Sequence, residues 1–252
     1  DILIENNNTT NETDSISVHE ILHGIPWVFQ GVRSVNINNN NTFSSYSIEN
    51  ASEISIRDNH LRDYTSVTTD GQGGITIMNQ EIPIEIVNNL LGDMNVGAAD
   101  GGNRNILIEA NICNQLVANG NALIRNNLAK DHLQCGVGEF VIENNICWGR
   151  LSLNQTRATI SRNTVFDYFR IRENVTATIV NNTIYLTNQM NPDAFAIRDG
   201  CDVTLRNNII YQPTRDQGSA ISITTGFQEE ESVSDCDYNC FYGFHDSVQG
   251  EG

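Results

Sequence analysis

The chain has 252 residues, enough for one large domain or two small ones with a sizeable core. Lys and Arg number 14 against 31 Asp and Glu, a formal net charge of −17, which argues against nucleic acid and against polyanionic substrates unless a local basic pocket overrides the field. No apolar run reaches the ~18–20 residues of a membrane span, so membrane insertion is not expected.

The chain opens on "DILIENNNTT", an apolar-to-asparagine phrase that returns throughout, with no signal peptide before it. Either a signal has been removed or the chain is a fragment of a longer protein; a secreted or cell-surface location is the expectation. Residues 1–50 are less regular, and "HEILHGIPWVFQGV" at 19–32 reads as an excursion packed near one end.

From there the phrase repeats. Its second asparagine is Asn7, Asn40, Asn59, Asn89, Asn111, Asn127, Asn145, Asn163, Asn182, Asn208 and Asn239 in turn. Three residues before each stands an Ile or Leu, except Cys236 before Asn239. From Asn127 through Asn145 and Asn163 to Asn182 the steps are 18, 18 and 19 residues; elsewhere they stretch to 33, from Asn7 to Asn40, or shrink to 16, from Asn111 to Asn127. A fixed phrase with variable insertions is the mark of a solenoid. Apolar residues lie five and three before the marker and two after it, as Phe140, Ile142 and Cys147 do around Asn145. That spacing of two is strand periodicity, and helix-period patterns are absent. Leucine-rich repeats also carry an asparagine, but "CWGRLSLNQTRA" supplies neither their leucines nor their return.

The expected fold is all-β: a single-stranded right-handed parallel β-helix solenoid, one domain over 1–252, of about ten or eleven coils at the ~4.8 Å strand spacing. Stacked markers would form an inward asparagine ladder, each amide donating to one neighbour and accepting from the other. Asparagine also tolerates the left-handed conformation of a tight bend. The "IxNNxI" phrases, over roughly residues 35–240, resemble those of the right-handed parallel β-helix (pectin-lyase-like) superfamily. The tail "SDCDYNCFYGFHDSVQGEG" resembles the last coils of large secreted bacterial β-helix repeat proteins. Lyases, hydrolases, epimerases, adhesins and structural proteins share this fold, so the resemblance specifies little about activity.

Counting from the markers aligns outward positions. Three after the marker come Asn114, Lys130, Trp148, Phe166, Tyr185 and Tyr211, an aromatic stripe fit for sugar rings or another protein. Four after come Asp93, Gln115, Asp131 and Asp167; five after come His132, Arg150 and Tyr168. Lys130, the only lysine, with Asp131, His132 and Arg150 is the candidate catalytic cluster, because it gathers acid, base and cation. Trp148, Phe166, Asp167, Tyr168, Tyr185 and Tyr211 are the candidate substrate-binding residues. A surface Lys-Asp-His triple is more often simply solvated. By resemblance, β-helix polysaccharide lyases use a Lys, Arg or His base, with cations or calcium neutralising a uronate. The epimerase signature Asp-Pro-His-Asp and the polygalacturonase Asn-Thr-Asp are absent.

Calcium is a possible cofactor, through Asp93 and Asp100 in the loop "GAADGGNRN", though that loop also reads as a plain Gly-rich excursion. Among Asn-x-Ser/Thr triplets, Asn154 and Asn174 are the better glycosylation acceptors, and Asn181 is disfavoured beside the ladder. Cys113 and Cys147 are separated by the Ala129 coil, too far for a disulfide, and read as small core hydrophobes; the C-terminal cysteines could pair. The partners are a polysaccharide, or further copies of the chain or neighbouring protein chains. Two functions remain: a secreted module that binds or cleaves polysaccharide, and a non-catalytic structural or adhesive module.

Overall fold

The alternating phrases build strands and nothing else. A computed structural model describes residues 15–18, 27–30, 34–38, 41–42, 46–49, 53–58, 60–61, 75–78, 84–97, 105–187, 193–213, 219–224, 233–244 and 246–250. Among these residues there is no helix, and so none long and apolar enough to cross a membrane.

The strands before each marker form one sheet of 11 described strands, running in order from Ser15–Val18 through Ser34–Asn38, Glu53–Arg57 and so on to Val233–Asp237. The strands after the marker form a second sheet, whose pairings are likewise parallel. Each strand therefore pairs with its equivalent in the neighbouring repeat, and a parallel β solenoid fits this order. Trp27–Gln30, expected to lie in an excursion, is instead a strand paired with Tyr46–Glu49. Its four residues were short enough for the neighbouring Gly and Pro to obscure them. The markers Asn7, Asn40 and Asn59 lie outside the described residues.

The second sheet forks. Ile112–Ala118 and Leu128–Cys135 run unbroken. One coil later the strand splits into Ile146–Cys147 and Leu151–Asn154, with Trp148, Gly149 and Arg150 making a corner between them. The split then persists through Thr164–Val165 and Phe169–Arg172. The candidate cluster stands at this fork.

The core follows the period of two. Phe140, Ile142 and Cys147 are buried, as are Val203, Leu205 and Ile210. Small residues in one coil face larger ones in the next: Ala122 pairs with Phe140, and Ala129 lies between Cys113 and Cys147. Along the third line of strands, the branch running through Leu151–Asn154, Phe169–Arg172 and Phe195–Arg198, Phe169 and Phe195 meet at a tilt with centroids 4.9 Å apart.

Among the described residues the ladder runs through eight asparagines, Asn89, Asn111, Asn127, Asn145, Asn163, Asn182, Asn208 and Asn239. At a typical rung, Asn145 Nδ2 donates to Asn163 Oδ1 at 3.0 Å and to Ile124 O at 2.9 Å. Asn145 N donates to the same Asn163 Oδ1 at 2.8 Å. One carbonyl oxygen thus satisfies the backbone and side chain of its neighbour together, and the polar groups at the bend need no water. The left-handed bend belongs to the residue before the marker. Asn88, Asn126, Asn144, Asn181 and Asn207 have φ of 55–59°, and Ala110 and Arg162 adopt the same conformation. Of the two asparagines in each phrase, then, the first turns the chain and the second holds the coils together.

Candidate functional site

The fork arises from one extra residue. Cys113 pairs with Ala129, but the next pair is Gln115 with His132. Two residues, Lys130 and Asp131, therefore stand opposite Asn114 alone, a β-bulge, which bends its strand and re-aims side chains. Counting from the marker places Asp131 beside Gln115 and His132 beside Leu116; the bulge corrects this, since Leu116 pairs with Leu133. Below the bulge the count holds, with Ala129 on Cys147 and Leu133 on Leu151.

At the bulge Lys130 and Asp131 are exposed and His132 is half-buried. Asp131 Oδ2 lies 3.1 Å from His132 Nδ1 and accepts from Gln115 Nε2 at 3.0 Å. With the carboxylate as acceptor Nδ1 carries a proton, which in the neutral tautomer leaves the lone pair on Nε2. Gly149 fits beneath because it has no side chain: a Cβ there would lie 1.7 Å from Asp131 O. Arg150, the next residue, is half-buried, and its Nε is buried with no hydrogen-bond partner. The structure thus brings Lys130, Asp131, His132 and Arg150 to one corner.

The aromatic stripe forms as aligned and is longer than expected. Trp148 and Phe166 have centroids 5.3 Å apart, Phe166 and Tyr185 6.1 Å, Tyr185 and Tyr211 5.1 Å, and Tyr211 and Tyr242 5.1 Å. Tyr242 was missed although it stands three after Asn239, so continuing the column one coil would have found it. The stacking changes what the stripe can do. Phe166, Tyr185 and Tyr211 each have a neighbouring ring on either side, stacked except for the tilted Phe166–Tyr185 pair, and so have less free ring face than an end ring. Trp148, 60% exposed, is stacked on one described ring alone and sits directly after the Lys130 coil. It is the ring of this set best placed to take an apolar sugar face.

Asp167 and Tyr168 are half-buried on the coil after Trp148. Asp131 and Asp167 flank the thiol of Cys147, which is pushed up to about 11, first by burial and then by these two carboxylates. Burial likewise pushes Cys113 up to about 12 and raises Cys135 and Cys201. These thiols are core residues, not nucleophiles. Cys236 and Cys240 are exposed and share no disulfide.

Of the proposed calcium ligands, Asp93 is half-buried and pairs in register with Gln115, and Asp100 lies outside the described residues. Among the described residues no three His, Cys, Asp or Glu side chains converge as metal ligands. Asn174 is exposed and Asn154 only half-exposed, its Oδ1 buried without a partner. Asn181 is exposed too, because the ladder uses Asn182. No family model, no curated protein and no solved structure matches the chain.

Proposed function

We propose that this chain is a secreted or cell-surface module that binds polysaccharide along the face running from Lys130 and Trp148 toward Tyr211, and that it has the groups to cleave it. The observation that carries this reading is the corner itself. A one-residue bulge puts a cation, an oriented Asp131–His132 pair and the open face of Trp148 within two adjacent coils. A sugar ring stacked on Trp148 would lie beside Lys130, with His132 Nε2 as proton acceptor or donor. Lyase-like elimination and hydrolase-like displacement both begin from such groups. Calcium, through Asp93 and the loop carrying Asp100, belongs to the proposal as a cofactor for acidic substrates.

The same reading takes the fold to be a right-handed parallel β-helix of the pectin-lyase-like kind, with about ten or eleven coils. The sheet order and the asparagine ladder support it, as does the strong right-handed preference of crossovers between parallel strands. A second reading, a structural or adhesive module docking against other chains, is favoured by a different face. There Leu107, Leu123 and Val141 stand in register on the outside of the first sheet, with Val141 44% exposed.

The test is a screen against neutral and uronate polysaccharides, with and without calcium. Binding, new reducing ends and unsaturated-product absorbance are followed for the wild type, Lys130→Ala and Trp148→Ala. Cleavage lost in Lys130→Ala would make the corner an active site. Binding lost in Trp148→Ala without any turnover would make the protein a binding module. Failure to engage any polymer would pass the argument to the structural reading.

A further inference from the structure

On the outer side of the third line of strands, arginines gather. Leu151 and Leu153, Phe169 and Ile171, and Phe195 and Ile197 are buried, so by alternation Ser152, Arg170, Arg172 and Arg198 face outward. Ser152 pairs with Arg170, and Asn154 with Arg172; Arg172 and Arg198 each follow the paired Ile171 and Ile197 and so share a row. Arg150 opens the same face one residue before Leu151.

Three observations make this face unusual. Acidic residues outnumber basic ones 31 to 14, so carboxylate partners are abundant. Arg57, Arg125, Arg162 and Arg206, at the other sheet, each have one. Arg150, Arg170, Arg172 and Arg198 make no ion pair among the described residues. Second, the four share one electrostatic field. The Arg170 guanidinium is held below its ordinary value, first by burial and then by Arg172, with Arg150 and Arg198 adding to the repulsion and Tyr168 opposing it. Third, three polar atoms here are buried with nothing to bond: the donors Ser152 Oγ, on a residue only 7% exposed, and Arg150 Nε, and the acceptor Asn154 Oδ1. Stacked like charges and orphaned donors are costs that a bound anion would remove together.

We propose that this face is an oxyanion-binding site, in which Arg150, Arg170, Arg172 and Arg198 supply the cations and Ser152 a hydroxyl donor, for sulfate or carboxylate groups. Planar guanidinium groups bind both ions through paired N–H donors. The source of the oxyanion is an acidic polysaccharide; this step rests on the polysaccharide reading, because Arg150 also borders the Lys130–Trp148 corner. A glycan stacked on Trp148 would extend its charged substituents onto Arg170 and Arg172. The site spans three coils, about 10 Å along the axis.

The experiment is a titration of the full chain by calorimetry with five probes: sodium sulfate, a sulfated galactan, polygalacturonate, an unsubstituted galactan and a single-stranded oligonucleotide. The variants are Arg170→Gln/Arg172→Gln, Trp148→Ala and, as control, Arg206→Gln. The expected result is at least tenfold tighter binding of one of the acidic glycans than of the neutral galactan. That preference should vanish in the double variant, persist in the control and weaken with added salt. Thermal melting of the double variant at or above the wild-type midpoint would exclude misfolding as the cause. Charged and neutral glycans binding alike, unaffected by the double variant, would overturn the site while leaving the polysaccharide reading intact. Sulfate binding that needs the arginines, with no glycan bound, would keep the site and remove the polysaccharide reading. An oligonucleotide bound more tightly than the glycans would overturn the ligand class.

Discussion

Gly149 lies against the backbone of Asp131 so closely that a Cβ on it would come within 1.7 Å of the Asp131 carbonyl oxygen. One coil thereby sets the position of the bulge in the next. Gly149→Ala must push that oxygen away, and Lys130, Asp131 and His132 move with it. The expected outcome is a folded protein, destabilised by about 1–3 kcal/mol, that has lost most of its glycan affinity or turnover. Chemical denaturation and a binding isotherm on the same preparation check both parts. Unaltered binding would detach the bulge from the site.

Asn145 accepts from Asn127 N and Nδ2 at 2.9 and 3.0 Å and donates to Asn163 in turn. Asn145→Ala removes its own bonds, to Asn163 Oδ1 and Ile124 O among others, and strands the buried Asn127 N–H, whereas Asn127 Nδ2 keeps Ile108 O and Arg125 O. At ~1–3 kcal/mol per stranded group, the expected loss is about 3–5 kcal/mol. Asn239, half-buried at the last described rung, accepts from Asn208 N and Nδ2 but donates to no described rung beyond it, so Asn239→Ala should cost less, about 2 kcal/mol. Urea melts of the two variants compare them directly; equal losses would show that the asparagines act singly and not as a ladder.

Ala110 occupies the left-handed position that asparagine holds at Asn88 and Asn126, with φ of 56°. An L residue with a plain Cβ pays about 1–2 kcal/mol there, partly offset in a Gly variant by the extra freedom of its unfolded chain. Ala110→Gly should therefore stabilise the protein by about 0.5–1 kcal/mol, read as a raised melting midpoint. The side chain is exposed, so no packing is lost.

What the sequence made legible follows from which constraints are periodic. The phrase around Asn145 named its inward residues, Phe140, Ile142 and Cys147, because a two-residue alternation repeated over many coils leaves few other ways to bury them. The aromatic column from Trp148 to Tyr211 was legible for the same reason. The bulge was not. It adds a single residue after Ala129, and counting from Asn127 cannot tell whether Gln115 faces Asp131 or His132. Nor was the division of labour between Asn144 and Asn145 visible, since the two residue types are identical and only φ and burial separate them. The arginine face escaped because the alignment of outward positions stopped five residues after the marker: Arg170 and Arg172 stand seven and nine after Asn163, in step with Ser152 and Asn154 after Asn145, and only before Arg198 does an insertion break the count.

The stacked stripe separates structure from recognition at two neighbouring rings. Phe166 is half-buried between Trp148 and Tyr185, whereas Trp148 is exposed. Phe166→Ala should lower stability by about 2 kcal/mol, through two lost ring pairs and their buried area. Trp148→Ala should cost about 1 kcal/mol or less in stability but at least tenfold in glycan affinity. Melting curves and isotherms for both variants give four values. If Phe166→Ala were the more damaging to binding at full stability, ring edges and not the face of Trp148 would carry recognition.

Alkaline pH probes the core through its thiols. Burial raises Cys113 from 9.0 to about 12 and Cys147 to about 11 in the folded chain. Below pH 9 both thiols are protonated in either state and contribute no pH dependence. Above it the unfolded chain loses these protons while the folded chain keeps them, so the folded state binds more protons and stability falls as pH rises. The decline should begin near pH 9 and ease for Cys147 near 11 and for Cys113 near 12, where the folded thiols also ionise. Cys147→Ala should flatten the slope between pH 9 and 11 at the cost of a small cavity, about 1 kcal/mol at neutral pH. Urea midpoints at half-unit pH intervals measure the slope. A wild-type curve that stays level to pH 11 would mean that these thiols are no better shielded when folded than when unfolded.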